Sequence, residues 1–285
     1  VSTEFDVDHG HAAMDGQICG IIKEDPMRSI LCPIDNSPSL NDRVETALAL
    51  ARAVDGHATF QIATPFSQMA VWEPFGGATI SATAMNEVKV ADEKLKQDIE
   101  ARLSHQDVAF DVEMADAGRI EAVAGASRFT DVIVASLDDP LVEELALGAR
   151  SPVLAVPRGT PMLVFDGPVL LAWDGGHEAA NALRAAVPLL RLASVVHVLT
   201  VREKSEEFPA GDVARYLSRH GIHAEIHAEE PHGSIADTIA GVAQRVGAGM
   251  VVMGIYGHSR LRELLMGGVS RTMLDRSTIP LLLAH

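Results

Sequence analysis

Short apolar runs alternate along this chain with longer segments that repeat on a helical period. Over residues 40–53, Val44, Ala47, Leu48 and Ala51 recur at i, i+3, i+4 and i+7, the spacing of one helical face. The runs SILCPI (29–34), ATFQIA (58–63), VAFDVEM (108–114), DVIVA (131–135) and PVLAVP (152–157) predict five strands. Later in the chain, VLLA (169–172), SVVHVLTV (194–201), IHAEIHA (222–228), MVVMG (250–254) and IPLLLA (279–284) predict five more. Between them lie helices at 211–221, closed by Gly221, at 234–246, and within 260–276 after a loop. Ser234 followed by Asp237 is a capping arrangement, and Ile235, Ile239, Val242 and Val246 line one face of that helix. Mainly apolar strands separated by helices indicate a parallel sheet covered on both faces. The expected fold is α/β, with two doubly wound five-stranded domains whose ligand crevices lie at the strand C-termini.

The two halves are a repeat. ILCPIDNSPSLNDRVETALALARA (30–53) resembles VLLAWDGGHEAANALRAAVPLLRLA (169–193) at an offset of 139 residues. Asp35 falls on Asp174, Val44 on Leu183, Ala47 on Ala186, Leu48 on Val187 and Arg52 on Arg191. The Pro- and Gly-rich stretch 157–168 reads as a linker. The expected division is therefore an extension over 1–26, one domain over 27–158 and a second over 159–285.

Composition narrows the function. With 285 residues, 47% hydrophobic and 22% charged, the chain is an ordinary globular mixture rather than a disordered one. A net charge of −16 and 4% aromatics argue against nucleic acid and anionic membrane as partners. Residues 1–158 carry a net −14 and residues 159–285 only −2, so the second half is the better host for an anion. Cys19 and Cys32 are too few for a disulfide framework or a four-cysteine metal site, and a reduced, cytoplasmic compartment is expected. No apolar run approaches the ~18–20 residues of a membrane helix. The acidic N-terminus is not a secretory signal and reads as a loose extension.

The most specific motif is Gly254-x2-Gly257-x9-Gly267, placed directly after an apolar strand and running into a helix. Glycines at a strand end admit close backbone approach, and a helix N-terminus offers free N–H groups to phosphate oxygens. Arg260, Arg262, Arg271 and Arg276 outnumber the acids Glu263 and Asp275 in this segment. Through VVMGIYGHSRLRELLMGGVSRTML and IPLLLAH above all, residues 27–285 resemble a tandem universal stress protein, two UspA-type domains in one chain. That resemblance implies a stress-response regulator that binds ATP or a related adenine nucleotide, with or without Mg2+, and signals rather than turning it over. It places the nucleotide on Asp174, Val201, Met253, Gly254, Gly257, Gly267, Gly268, Val269 and Ser270, with no catalytic residues and no metal ligands. It also implies that strands 152–157 and 279–284 pair antiparallel, making an intramolecular pseudo-dimer; a further homodimer and unknown protein partners stay open.

The sequence departs from the family twice. The Ser/Thr that follows the last glycine is Gly268, and losing a hydrogen bond to a charged group costs about 1.5–3 kcal/mol, or one to two orders of magnitude in affinity. Ser270 is the candidate substitute. In the first half, Ala135 aligns with Gly254, and the stretch to Pro152 is nine residues shorter than that from Gly254 to Pro280. Asp138, Asp139, Glu143 and Glu144 stand there, where phosphates would sit and be repelled. The first half is therefore expected not to bind ATP despite Asp35.

Other chemistries find little support. The G-x-S-x-G elbow, the Walker pattern, a serine-rich pyrophosphatase loop and a dinucleotide fingerprint are all absent. The alternatives to a nucleotide-binding regulator are a scaffold of the same fold and a slow ATPase. His220, His223, His227 and His232 cluster within 13 residues, and His223 and His227 share a strand face, but their spacing gives no compact ligand set. His9 and His11 carry no stronger signal. The connection 66–85, with Met69, Trp72 and Phe75, is long enough for a lid, a contact surface or a loop packed on its own domain.

Overall fold

The computed structural model describes residues 27–69, 82–160, 163–201, 209–255 and 268–285. The extension with His9, His11 and Cys19 lies outside them, as do Trp72 and Phe75, and so does the central part of the glycine motif, including Gly257 and Gly267.

The first half runs β1 (Ser29–Pro33), α1 (Leu40–Val54), β2 (His57–Ala63), α2 (Phe66–Met69), α3 (Ala82–Leu103), β3 (Ala109–Ala115), α4 (Arg119–Ala126), β4 (Val132–Ser136), α5 (Val142–Gly148) and β5 (Val153–Val156). The second runs β6 (Val169–Ala172), α6 (His177–Leu190), β7 (Val196–Val201), α7 (Ala210–Arg219), β8 (Ala224–Glu229), α8 (Ile235–Val246), β9 (Met250–Gly254), α9 (Val269–Arg276) and β10 (Leu281–Ala284). The expected long connection 66–85 is shorter than its sequence suggests, because a helical turn occupies its start and α3 already begins at Ala82.

All ten strands form one sheet in the order β3-β2-β1-β4-β5-β10-β9-β6-β7-β8. Within each half the strands are parallel, and the halves join where β5 and β10 pair antiparallel, with Leu282 opposite Leu154. The pseudo-dimer seam is thus a backbone ladder inside the chain. Pairing β5 with β10 covers two edges that would otherwise present unpaired N–H and C=O groups.

Side chains alternate across the sheet, so Ile30 and Cys32 of β1 enter one core and Leu31 the other. One core packs α1, α3, α6 and α7 against the sheet, the other α4, α5, α8 and α9, and each runs through both halves. β3 and β8, the outer edges, contain no fully buried residue. Helix ends follow their sequence signals. Ser234 accepts from the Asp237 N–H at 3.1 Å while the Asp237 carboxylate accepts from the Ser234 N–H, and Gly247 closes α8 at φ +66°.

Candidate functional site

In each half the first strand marks the point where strand order reverses, and ligand crevices of open α/β sheets open there, beyond the strand C-termini. In the second half that point lies between β6 and β9, which pair in parallel with Leu171 opposite Val252. Asp174 follows β6, Gly254 ends β9, Val201 ends β7, and Gly268 precedes α9.

Asp174 is exposed. Its Oδ1 accepts the Gly176 N–H at 2.8 Å, forming an Asx turn that Gly175 permits at φ +81°. The turn delivers the chain into α6, whose N-cap Gly176 has no side-chain cap. Among the described residues, the Asp174 carboxylate has no ion pair.

Gly254 is required for packing. A Cβ built on it would stand 2.6 Å from the Ala179 nitrogen and 2.6 Å from the Glu178 carbonyl carbon, so only glycine lets β9 end against the first turn of α6. The close approach seen at this glycine is to the protein's own backbone. Met253 is buried in the core shared with Ile239 and Leu283, and Val201 is half-buried at its strand end. Gly268 is the N-cap of α9 in an extended conformation, φ −56° and ψ 162°, and supplies no side-chain cap. Val269 is half-buried in the first turn of α9, and Ser270 beside it is 4% exposed and already engaged within the protein. The structure therefore brings Asp174, Gly254, Gly268 and the start of α9 to one end of the sheet.

The corresponding place in the first half is filled. Asp35 makes the same turn, its Oδ1 accepting the Ser37 N–H at 3.0 Å. Arg43, 2% exposed, reaches the same oxygen at 2.5 Å through Nη2 and donates through Nη1 to the Ser136 hydroxyl at 2.6 Å. Arg119 donates to the other Asp35 oxygen at 3.0 Å and ion-pairs with Asp139. Burial pushes the Asp35 carboxyl up, but the Ser37 hydrogen bonds and the Arg43 charge reverse this and hold it below its ordinary value. Ser39 donates to Asp138 at 2.7 Å.

Two expectations are corrected here. Two of the four acids expected there, Asp138 and Asp139, do not present bare negative charge, because Asp139 is neutralised by Arg119 and Asp138 is hydrogen-bonded by Ser39. Its crevice is occupied by two arginines. The strand register also moves the alignment by one residue. Val132 pairs beside Ile30 as Met250 pairs beside Val169, so Ser136, not Ala135, is the counterpart of Gly254. Ladder geometry fixes this register, which similarity between apolar strands leaves ambiguous. At the 139-residue offset Arg43 falls on Ala182, which is fully buried, so α6 has no arginine at that position. A concavity of about 410 Å³ lies elsewhere, at the opposite end of the first half, lined by Arg28, Arg52, Gly56, His57 and Asp107. The Arg52–Asp107 ion pair at 2.7 Å spans part of its lining, and none of the sequence-predicted site residues borders it.

Comparison with known proteins agrees with this fold. Residues 167–285 match the model of the universal stress protein family. A universal stress protein of Synechocystis sp. is 24% identical over 146 residues, 50% of this chain and 49% of that protein, so the match spans about half the length of that relative. Among solved structures, a universal stress protein from Archaeoglobus fulgidus DSM 4304 superposes with a TM-score of 0.69 at 17% identity, covering 90% of this chain and 96% of that one. A functionally unknown protein of Pseudomonas aeruginosa PAO1 gives 0.58 at 18% identity, covering 91% and 93%. These structural likenesses concern the fold, and they extend it over both halves. No helix among the described residues is long and apolar enough to cross a membrane.

Proposed function

We propose that the second half, whose residues 167–285 match the model of the universal stress protein family, carries an adenine-nucleotide site, and that the site is confined to that half. The nucleotide, ATP in the simplest case and with or without Mg2+, lies beyond β6 and β9. Asp174 meets the nucleoside, and the segment from Gly254 through Gly257 and Gly267 to the start of α9 takes the phosphates on backbone N–H groups. The observation that carries this reading is the difference between the two Asx turns. Asp35 is held by Arg43 and Arg119, whereas Asp174 is exposed and has no counterpart arginine among the described residues. The protein then acts as a cytoplasmic stress regulator rather than an enzyme. Bound nucleotide shifts the population of conformations around the 254–270 segment, and partners read that surface.

The Gly268 departure favours a second reading, a scaffold of the same fold with no bound ATP, since α9 begins without the hydroxyl that the family uses. Nucleotide carry-over separates the two. Protein purified without added ligand is denatured, and released adenine nucleotides are quantified by chromatography and mass spectrometry. About one nucleotide per chain, falling at least tenfold in Asp174→Ala, is expected, a change equivalent to about 1.4 kcal/mol. Gly254→Val is unsuitable as the control because its side chain would collide with α6. Absence of carried-over nucleotide, together with no binding at millimolar ATP, would leave the scaffold. Sustained phosphate release abolished by Gly257→Val would instead make the protein a slow ATPase.

A further inference from the structure

The histidine-rich stretch acquires a partner that lies 30 residues away in sequence. On β7, His197 stands directly opposite Glu225 of β8, and His227 follows two residues along the same face of β8. The His197 Nδ1 lies 2.9 Å from the His227 Nε2 and 3.4 Å from a Glu225 carboxylate oxygen. One ligand atom from each of these three residues lies within 4.8 Å of the other two. His223, one residue before β8, brings its Nε2 to 3.9 Å from the other Glu225 oxygen.

We infer that His197, Glu225 and His227 form a binding site for a divalent transition ion of the zinc type, with His223 or water as the fourth ligand. Zinc takes His nitrogen at about 2.0–2.1 Å and carboxylate oxygen at about 2.0–2.2 Å, so neighbouring ligand atoms of a tetrahedron stand about 3.3 Å apart. The Glu225-to-His197 distance already matches that edge, the two imidazole nitrogens need to separate by only a few tenths of an ångström, and Glu225 and His227, within 4.8 Å of each other, have to draw together to complete the third edge. Two imidazoles and one carboxylate are borderline donors, suited to Zn2+ rather than to Mg2+ or Ca2+.

The surroundings fit as well. The His197 side chain is 9% exposed, while Glu225 is 53% exposed, which leaves an open approach from the edge. Burial, and then the neighbouring His227, lower the His197 pKa, while Glu225 opposes them. Arg245 is tied to Glu229 farther along β8. The two strands are outermost in the sheet, and an ion bound across them would fasten the exposed edge β8 to β7. The site is independent of the nucleotide reading.

The test is Zn2+ titration of the full-length, tag-free chain after chelator treatment, by calorimetry and by competition with a chromophoric chelator. The expected result is one ion per chain with micromolar or tighter affinity, weakened at least tenfold in His227→Ala and Glu225→Gln and unchanged in His220→Ala. Co2+ in place of Zn2+ is expected to give the visible absorption of a four-coordinate N/O site, and Zn2+ to raise the unfolding midpoint in the wild type only. Circular dichroism verifies that each variant is folded, and the exposed Glu225→Gln serves should a histidine variant fail to fold. Absence of binding at equimolar Zn2+, or binding that survives both His227→Ala and Glu225→Gln, would overturn the site.

Discussion

Asp35 and Asp174 occupy the same place in two copies of one fold, and each accepts a backbone N–H two residues on, from Ser37 and Gly176. What surrounds them differs. In the first half Arg43 and Arg119 close over the carboxylate, Arg43 also donating to Ser136 and Arg119 pairing with Asp139. In the second half α6 carries Ala182 where α1 carries Arg43, and Asp174 stays exposed. One copy has converted its crevice into an internal ion-pair network; the other has no such network among the described residues. A repeat thus keeps its turn geometry while its chemistry diverges, because the turn is local and the network needs side chains from three helix–strand connections.

The comparison breaks most directly at the two aspartates. Asp35→Ala leaves Arg43 buried without its charge partner and is expected to cost about 3–5 kcal/mol. Asp174→Ala loses one turn hydrogen bond, about 1 kcal/mol. Urea denaturation of both variants checks the difference, and equal costs would dissolve the contrast between a filled and an open crevice.

Next in size is the contrast at the strand ends. Ser136 tolerates a side chain, but Gly254→Ala forces its Cβ against the start of α6 and is expected to cost about 1–3 kcal/mol. A neutral effect would mean that α6 shifts freely over β9. The helices that follow β3 and β8 differ too. α4 starts at Gly118 without a side-chain cap, whereas α8 has the Ser234–Asp237 box. Ser234→Ala is expected to lower stability by about 1 kcal/mol, read from the thermal midpoint.

The smallest effect is in acid. Because the folded Asp35 pKa lies below the ordinary 3.8, its stabilising contribution is present above that value and is lost as pH falls through the lower folded value. Stability measured against pH is expected to fall below pH 3.8 in the wild type and less steeply in Asp35→Asn. Parallel slopes would show that the network does not carry the acid sensitivity.

Much of this was legible in the sequence. The period of Val44, Ala47, Leu48 and Ala51 gave α1, the Ser234–Asp237 spacing gave the start of α8, and MVVMG coincides with β9. The resemblance to the family also anticipated the pairing of 152–157 with 279–284. Arg43 was present in the sequence on an otherwise apolar helix face, and that break in the pattern was the available signal for the network. His197 gave none, since a lone histidine in an apolar strand looks like a core residue until β8 is laid beside it.

Periodicity, capping and turn chemistry act over a few residues, so the order of elements, the Asx turns and the two-fold repeat are written locally and the sequence by itself determined them. Register, occupancy and clustering depend on which strands lie side by side. Only the tertiary structure could match Ser136 to Gly254, bring Arg119 to Asp35 across 84 residues, and set His197 against Glu225 and His227. Hydrogen bonds and charges act over a few ångströms, and the sheet brings residues to that distance from anywhere in the chain.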